Sequence, residues 1–245
     1  MRTETIKGAT PSVLAQKAAV ALNKQLSAYK NGFYLLLSGG SALNILDSGL
    51  DVSLFNKNVT VGVLDERYST DPKINNFDQL TQTGFYKKIV ESGAKFIDTR
   101  VREIGPAQKE KNATNKETSE ELTERFSDAL KNINVPIIST VGVGADGHTS
   151  GMMPFPEDPR RFGELFENTD KLVVSYDATG KNQFTKRITT TLPFMRNISY
   201  AVGIVIGDEK RQALQKIADK NGTLAETPAR ILREMKDVDI FTNIE

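Results

Sequence analysis

The sequence predicts an α/β protein: a three-layer sandwich with a parallel sheet between helical layers. Three observations carry this reading. Apolar runs recur at 33–37, 59–64, 136–143 and 199–206, and none alternates cleanly between apolar and polar residues. Unbroken apolar runs mark strands covered on both faces, as in parallel sheets. Each run opens directly into a glycine-bearing or charged loop. Segments of helical spacing recur between the runs, the strand–loop–helix repetition of crossover-connected strands.

Residues 11–30 come first, with Val13, Leu14, Ala18, Val20, Ala21, Leu22 and Leu26 close to helical spacing. Pro11 and Ser12 suit a helix start. The run 33–37 ends in Ser38-Gly39-Gly40-Ser41, and a second helix begins over 42–47. The run 59–64 ends at Asp65-Glu66-Arg67. Residues 69–76 are polar, with Pro72 and two Asn, and read as a loop. Residues 78–91 read as a helix and 94–97 as a short strand. The stretch 105–121 is the most polar of the chain, and its first half, within 105–116, reads as a flexible surface loop. It passes into a helix near 119–132. The third buried strand, 136–143, is followed by the glycine-rich segment 144–151. Residues 171–175 read as a short strand, 187–193 as extended chain, and 199–206 as an apolar strand ending at Gly207. A helix over 208–219 takes Asp208 as its N-cap, and 238–241 is the last strand. With no internal repeat and no linker-like stretch, one domain over 1–245 is expected.

Composition excludes several function classes. The chain has 245 residues, 38% hydrophobic and 26% charged, with a net charge of +1. That balance lacks the basic excess of a nucleic-acid binder. With no Cys there is no disulfide framework, zinc ribbon or Cys nucleophile. A cysteine-free chain fits a reducing cytoplasmic setting, the expected location. A single His excludes two-His metal motifs. No apolar run reaches the 18 residues that would span a membrane, and the N-terminal MRTETIKG lacks a signal-peptide apolar region.

In open α/β sheets, ligands bind beyond the carboxyl ends of the strands. Four polar clusters follow apolar runs here: 38–41, 65–67, 142–150 and 207–210. On parallel strands all four lie on one rim. Gly39 and Gly40 let backbone N–H groups approach an anion, although a tight turn would need them as well. Arg67 offers a guanidinium suited to a phosphate, and Asp65 a carboxylate; the same trio also suits a solvated charge cluster. His148 is the side chain most easily poised as a base near neutral pH, and Asp146 can orient it or brace its loop. Lys210 and Arg187 are further candidate cations that an exposed surface would equally explain. Met152 and Met153 read as core or pocket wall. No G-x-S-x-G elbow marks Ser41 or Ser150 as a nucleophile.

The segments LSGGSA (37–42), LDER (64–67), GVGADGHTSGMMP (142–154), RITTTLP (187–193) and GDEK (207–210) resemble the 6-phosphogluconolactonase family, whose relatives include glucosamine-6-phosphate deaminase. The resemblance implies the sugar-phosphate isomerase-like sandwich and hydrolysis of 6-phospho-D-glucono-1,5-lactone to 6-phosphogluconate in the oxidative pentose phosphate pathway. It implies a phosphorylated sugar lactone as the small-molecule partner, no metal and no organic cofactor. Charge balance and run lengths leave no nucleic-acid or membrane partner expected, and a monomer or weak homo-oligomer is expected. Carried over residue by residue, His148 resembles the general base, with Asp146 and Asp65 lining or bracing the catalytic site. Arg67 and Lys210 resemble the phosphate grip, with Gly39, Gly40 and Ser41. Gly147 and Arg187 complete the substrate-binding set. The chain departs from the family at Ala145, often acidic there, and at Ala42-Leu43, where Thr-Pro is frequent. It reads T-S-G-M-M-P over 149–154 where T-A-S-L-F-P is common. A deaminase-like enzyme is the alternative, but that branch resembles D-E-Y with a Glu five residues after the His, where this chain has Arg67 and Met153. A non-catalytic sugar-phosphate sensor is the other.

Overall fold

The structure, a computed structural model, describes residues 1–104 and 115–245. Most of the polar loop expected within 105–116 lies outside them. Among the described residues ten strands form two sheets. Seven of them are β1 (Arg2–Thr5), β2 (Tyr34–Leu37), β3 (Thr60–Val63), β5 (Lys95–Phe96), β6 (Ile137–Val141), β9 (Tyr200–Val205) and β10 (Val238–Thr242). They form a wholly parallel sheet in the order β1-β10-β9-β6-β2-β3-β5.

The apolar runs have no alternation because each strand feeds two cores. Leu35 and Leu37 point into one and Leu36 into the other. Tyr200, Val202 and Ile204 join the first, Ala201 and Val205 the second. The first core is roofed by α1 (Pro11–Leu26), α2 (Asn44–Asp47), α3 (Asn76–Thr81) and α4 (Gly84–Val90). The second takes α5 (Ser119–Ala129), α6 (Pro159–Phe162), α7 (Leu192–Arg196) and α8 (Arg211–Ala218). The result is a three-layer α/β sandwich.

The second layer also holds a sheet that the apolar pattern does not reveal. Residues 65–67 form β4 (Asp65–Arg67), which pairs antiparallel with β8 (Lys186–Thr190). β8 in turn pairs with β7 (Val173–Asp177), giving the order β4-β8-β7. The segments expected as a charged loop at 65–67 and extended chain at 187–193 are therefore partners. Past Thr190 the second segment turns into α7, with Pro193 in its first turn, where a missing N–H costs nothing.

Three local expectations need correction. Residues 42–47 do not start a regular helix at once: a 3₁₀ turn at Gly40–Leu43 precedes the single turn of α2. Residues 78–91 split into α3 and α4, because Thr83 caps the N–H of Tyr86 (3.0 Å) and the Asp47 carboxylate binds the N–H groups of Gly84 and Phe85. Asp208 is not an N-cap. It lies within a 3₁₀ turn, Asp208–Lys210, and its carboxylate pairs with Arg211 at 2.6 Å. One strand was not assigned from the sequence: β1 forms from an entirely exposed polar segment, held at the sheet edge by Arg2 against Asp237 and Asp239. Among the described residues no helix is long and apolar enough to cross a membrane.

Candidate functional site

The four polar clusters follow β9, β6, β2 and β3, which are neighbours at the centre of the sheet. From β2 the chain first builds outward through β3 and β5, then returns to place β6 on the other side of β2. Loops leaving β2 and β6 therefore diverge, and such a switch point opens a crevice at the carboxyl ends. A cleft of about 220 Å³ lies there. It is lined by the segment Ser38 to Ser41, by Asp65 and Arg67, by His148 with Gly142 and Gly144, by Ser150 and Gly151, and by Arg187 and Lys210.

His148 is held from its rear edge. Its Nδ1 lies 2.6 Å from Asp146 Oδ1, which also accepts the His148 backbone N–H at 3.1 Å. Burial alone would raise the Asp146 pKa, but the hydrogen bond and charge of the His148 ring and the backbone N–H bring it below its ordinary value. The carboxylate is thus ionised at neutral pH and only accepts, so Nδ1 carries the hydrogen, and in the neutral ring the lone pair falls on Nε2. The ring can occupy this place because residue 144 is glycine: a Cβ there would stand 2.1 Å from His148 Nδ1.

Two arginines face each other across the small sheet. In the β4–β8 register Arg67 lies opposite Arg187, and Asp65 opposite Thr189. Like charges placed directly opposite repel, and no carboxylate separates them closely. Arg187 is 3% exposed and its nearest anion, Asp65, is 3.8 Å away. Burial lowers the Arg187 pKa, Asp65 opposes that, and Arg67 adds to it. Arg67 donates to the Ile74 carbonyl at 3.0 Å and stacks on the Phe184 ring at 5.3 Å. The Nε atoms of both arginines are buried without a hydrogen-bond partner among the described residues. Lys210 adds a third cation, its pKa lowered by burial against the pull of Glu209. Three cations with so little internal neutralisation suit an anion of more than one charge.

Glu66 was not among the expected site residues, yet it holds the arrangement together. In β4 it points away from Asp65 and Arg67, and it is 0% exposed. Oε1 accepts from the N–H of Arg67 (2.8 Å) and of Asn76 (2.6 Å). Oε2 accepts from the N–H of Phe77 (3.0 Å) and from the Thr99 hydroxyl (2.8 Å). Burial pushes its pKa up to about 8 against the pull of those four donors. Asn76 in turn donates to the Asp65 carbonyl at 2.8 Å. Strand period two, applied to the D-E-R trio, is the signal that separates Glu66 from its neighbours.

The cleft brings together His148, Asp65, Arg67, Arg187, Lys210, Gly39, Gly40 and Ser41 of the sequence-derived candidates. Asp146 stands behind the imidazole rather than on the wall. Gly147 is also off the wall, and its carbonyl accepts the N–H of Ala229 at 3.0 Å. Met152 and Met153 are core residues. Ser150 lines the cleft as well. A larger groove of about 730 Å³ runs between α5 and β7, but none of the candidates reaches it. Among the described residues no group of three His, Cys, Asp or Glu is placed to hold a metal ion.

The family model for glucosamine-6-phosphate isomerases/6-phosphogluconolactonase matches residues 9–241. No curated protein matches the sequence. The solved structure of a 6-phosphogluconolactonase from Shewanella baltica OS155 is similar at TM-score 0.70 and 21% identity, over 98% of this chain and 96% of that one. That of Trypanosoma brucei 6-phosphogluconolactonase is similar at TM-score 0.73 and 16% identity, over 98% and 96%. A monomeric glucosamine-6-phosphate deaminase is similar at TM-score 0.67 and 16% identity, over 99% and 97%. At these identities the likeness is one of fold.

Proposed function

The chain belongs to the glucosamine-6-phosphate isomerase/6-phosphogluconolactonase family, and from that premise we propose that it hydrolyses 6-phospho-D-glucono-1,5-lactone to 6-phosphogluconate. The observation that carries the reading is one cleft with a carboxylate-oriented imidazole and two under-neutralised, cross-strand arginines. An imidazole with a free Nε2 suits proton transfer, and the arginines with Lys210 suit a phosphate dianion.

On this reading Arg67, Arg187, Lys210 and the Gly39–Ser41 turn hold the phosphate. Because the turn leads only into 3₁₀ geometry and one helical turn, its free backbone N–H groups, rather than a long helix dipole, supply the local field. Anchoring the remote phosphate places the lactone carbonyl at His148, converting binding energy into orientation. Nε2 takes a proton from a water molecule as its oxygen bonds to the carbonyl carbon. The tetrahedral intermediate then collapses with cleavage of the ring C–O bond. The imidazolium returns its proton to the departing ring oxygen, leaving the acid and a hydroxyl. Asp146 stabilises the transient imidazolium without taking its proton.

The test is lactone loss with freshly made substrate. His148→Ala should keep the fold and lose about 10²- to 10⁴-fold in turnover, the usual worth of a general base. Undiminished turnover in that variant removes His148 from the mechanism. Tight 6-phosphogluconate binding by a wild-type protein that does not accelerate opening would indicate a sugar-phosphate sensor instead. A deaminase-like reading is disfavoured by Met153, five residues after His148. Its thioether cannot relay protons, and it lies in the apolar core.

A further inference from the structure

We propose that Ser150 is a substrate-contacting residue, its hydroxyl hydrogen-bonding the sugar end of the ligand; the inference rests on the sugar-phosphate reading above. Ser150 is one of two non-glycine residues with positive φ among the described residues, at 46°. It is 4% exposed, lines the cleft, and its Oγ has no hydrogen-bond partner among the described residues. Glycine would adopt this backbone freely and leave no hydroxyl unpaired. A strained residue with a stranded polar atom persists only where its surroundings force it, and such residues cluster at ligand sites.

The surroundings here do force it. The Thr189 hydroxyl donates to the Ser150 carbonyl. The Tyr176 hydroxyl donates to the Gly151 carbonyl at 2.6 Å and accepts the Met153 N–H at 3.1 Å. Three hydrogen bonds thus clamp the segment from β7 and β8 and fix the backbone at Ser150.

The same bonds locate it along the cleft. Thr189 pairs with Asp65, one pleat repeat away from the Arg67–Arg187 pair. Two residues of strand separate these levels by roughly 7 Å. Ser150 is tied to the Thr189 level and lies two residues from His148. It therefore addresses the lactone and hydroxyl portion of a ligand whose phosphate sits on the arginines.

The test compares Ser150→Gly and Ser150→Ala with wild type, titrating 6-phosphogluconate and, separately, inorganic phosphate. Loss of one hydrogen bond predicts about tenfold weaker 6-phosphogluconate binding in both variants. Inorganic phosphate affinity should stay within twofold. Ser150→Gly should also melt higher than Ser150→Ala, since only it relieves the positive φ. Lactone turnover per bound substrate is followed in parallel. Equal 6-phosphogluconate affinity in all three proteins overturns the Ser150 contact. Equal losses of both ligands overturn it too, because they mean a disturbed cleft. A wild-type protein that binds 6-phosphogluconate without opening the lactone sinks the hydrolase reading and leaves the contact standing; failure to bind it at all sinks both.

Discussion

His148 shows how little freedom a functional side chain keeps once its neighbours are placed. Asp146 selects its tautomer, and the missing side chain at 144 makes room for its ring. Gly144→Ala would drive a methyl into space 2.1 Å from Nδ1. The ring must then move, and a displacement of about 1 Å can cost on the order of 10²-fold in rate. The expected outcome is a lower kcat with inorganic phosphate affinity unchanged, read by lactone assay and competition; an unchanged kcat would mean that ring position does not govern the step. Glu66 gives a second residue-level prediction. Its pKa is raised from 4.5 to about 8, first of all by burial. The native state therefore keeps this proton over a range where the unfolded chain has lost it. Stability contributed by Glu66 falls as pH rises from about 4.5 to about 8. Glu66→Gln removes that titration, so urea midpoints at pH 5 and pH 8 should differ less in the variant than in wild type, in the direction of wild type weakening at pH 8. Parallel profiles would show that Glu66 does not titrate in this window.

At the scale of elements, the β4–β8 pairing matters most. It turns D-E-R and K-R-I-T-T, remote in sequence, into one cationic wall, and it sends Glu66 to the opposite face, where it fastens the start of α3. The 149–154 turn packs directly on this pairing. Gly151 has φ 77°, and a Cβ there would lie 2.8 Å from Asp65 Cβ. The positive φ and that close approach together favour glycine at this position. Gly151→Ala is expected to cost about 1–3 kcal/mol through backbone strain and to shift Asp65 against Arg187. Denaturant midpoints and phosphate affinity check both parts, and a variant as stable as wild type would show that the turn can relax. α5 tests local signals alone. Its capping box joins Thr118 Oγ1 to the Glu121 N–H (3.2 Å) and Glu121 Oε2 to the Thr118 N–H (2.8 Å). Thr118→Ala should lower stability by about 1 kcal/mol and leave ligand affinity alone, since α5 lies away from the cleft.

For the whole molecule, the cleft exists only when all four central loops are assembled. An anion bound there stabilises the native state by linkage. At 6-phosphogluconate concentrations 100-fold above Kd the gain is about 2.7 kcal/mol. For a chain of this length that corresponds to a rise in Tm of about 5–11 °C. Arg187→Ala and Lys210→Ala should lose most of that rise. A ligand-induced shift that survives both substitutions would place the phosphate elsewhere.

Much of this was legible in the chain itself. Apolar runs such as 33–37 and 199–206 identify strands because a strand buried on both faces needs apolar side chains at every position, a local requirement. The polar clusters after those runs identify the functional rim, since crossover-connected parallel strands all end on one side. Three features were decided only by the tertiary structure. The antiparallel pairing of β4 with β8 is invisible locally, because short charged or threonine-rich segments become strands only when each supplies the other's hydrogen bonds. The separation of Glu66 from Asp65 and Arg67 depends on which face of that strand is buried. The strained, unpaired Ser150 follows from hydroxyls of Thr189 and Tyr176 reaching its turn from another sheet. Hydrophobic periodicity is written along the chain, whereas the partners of buried polar groups are set by packing between distant segments.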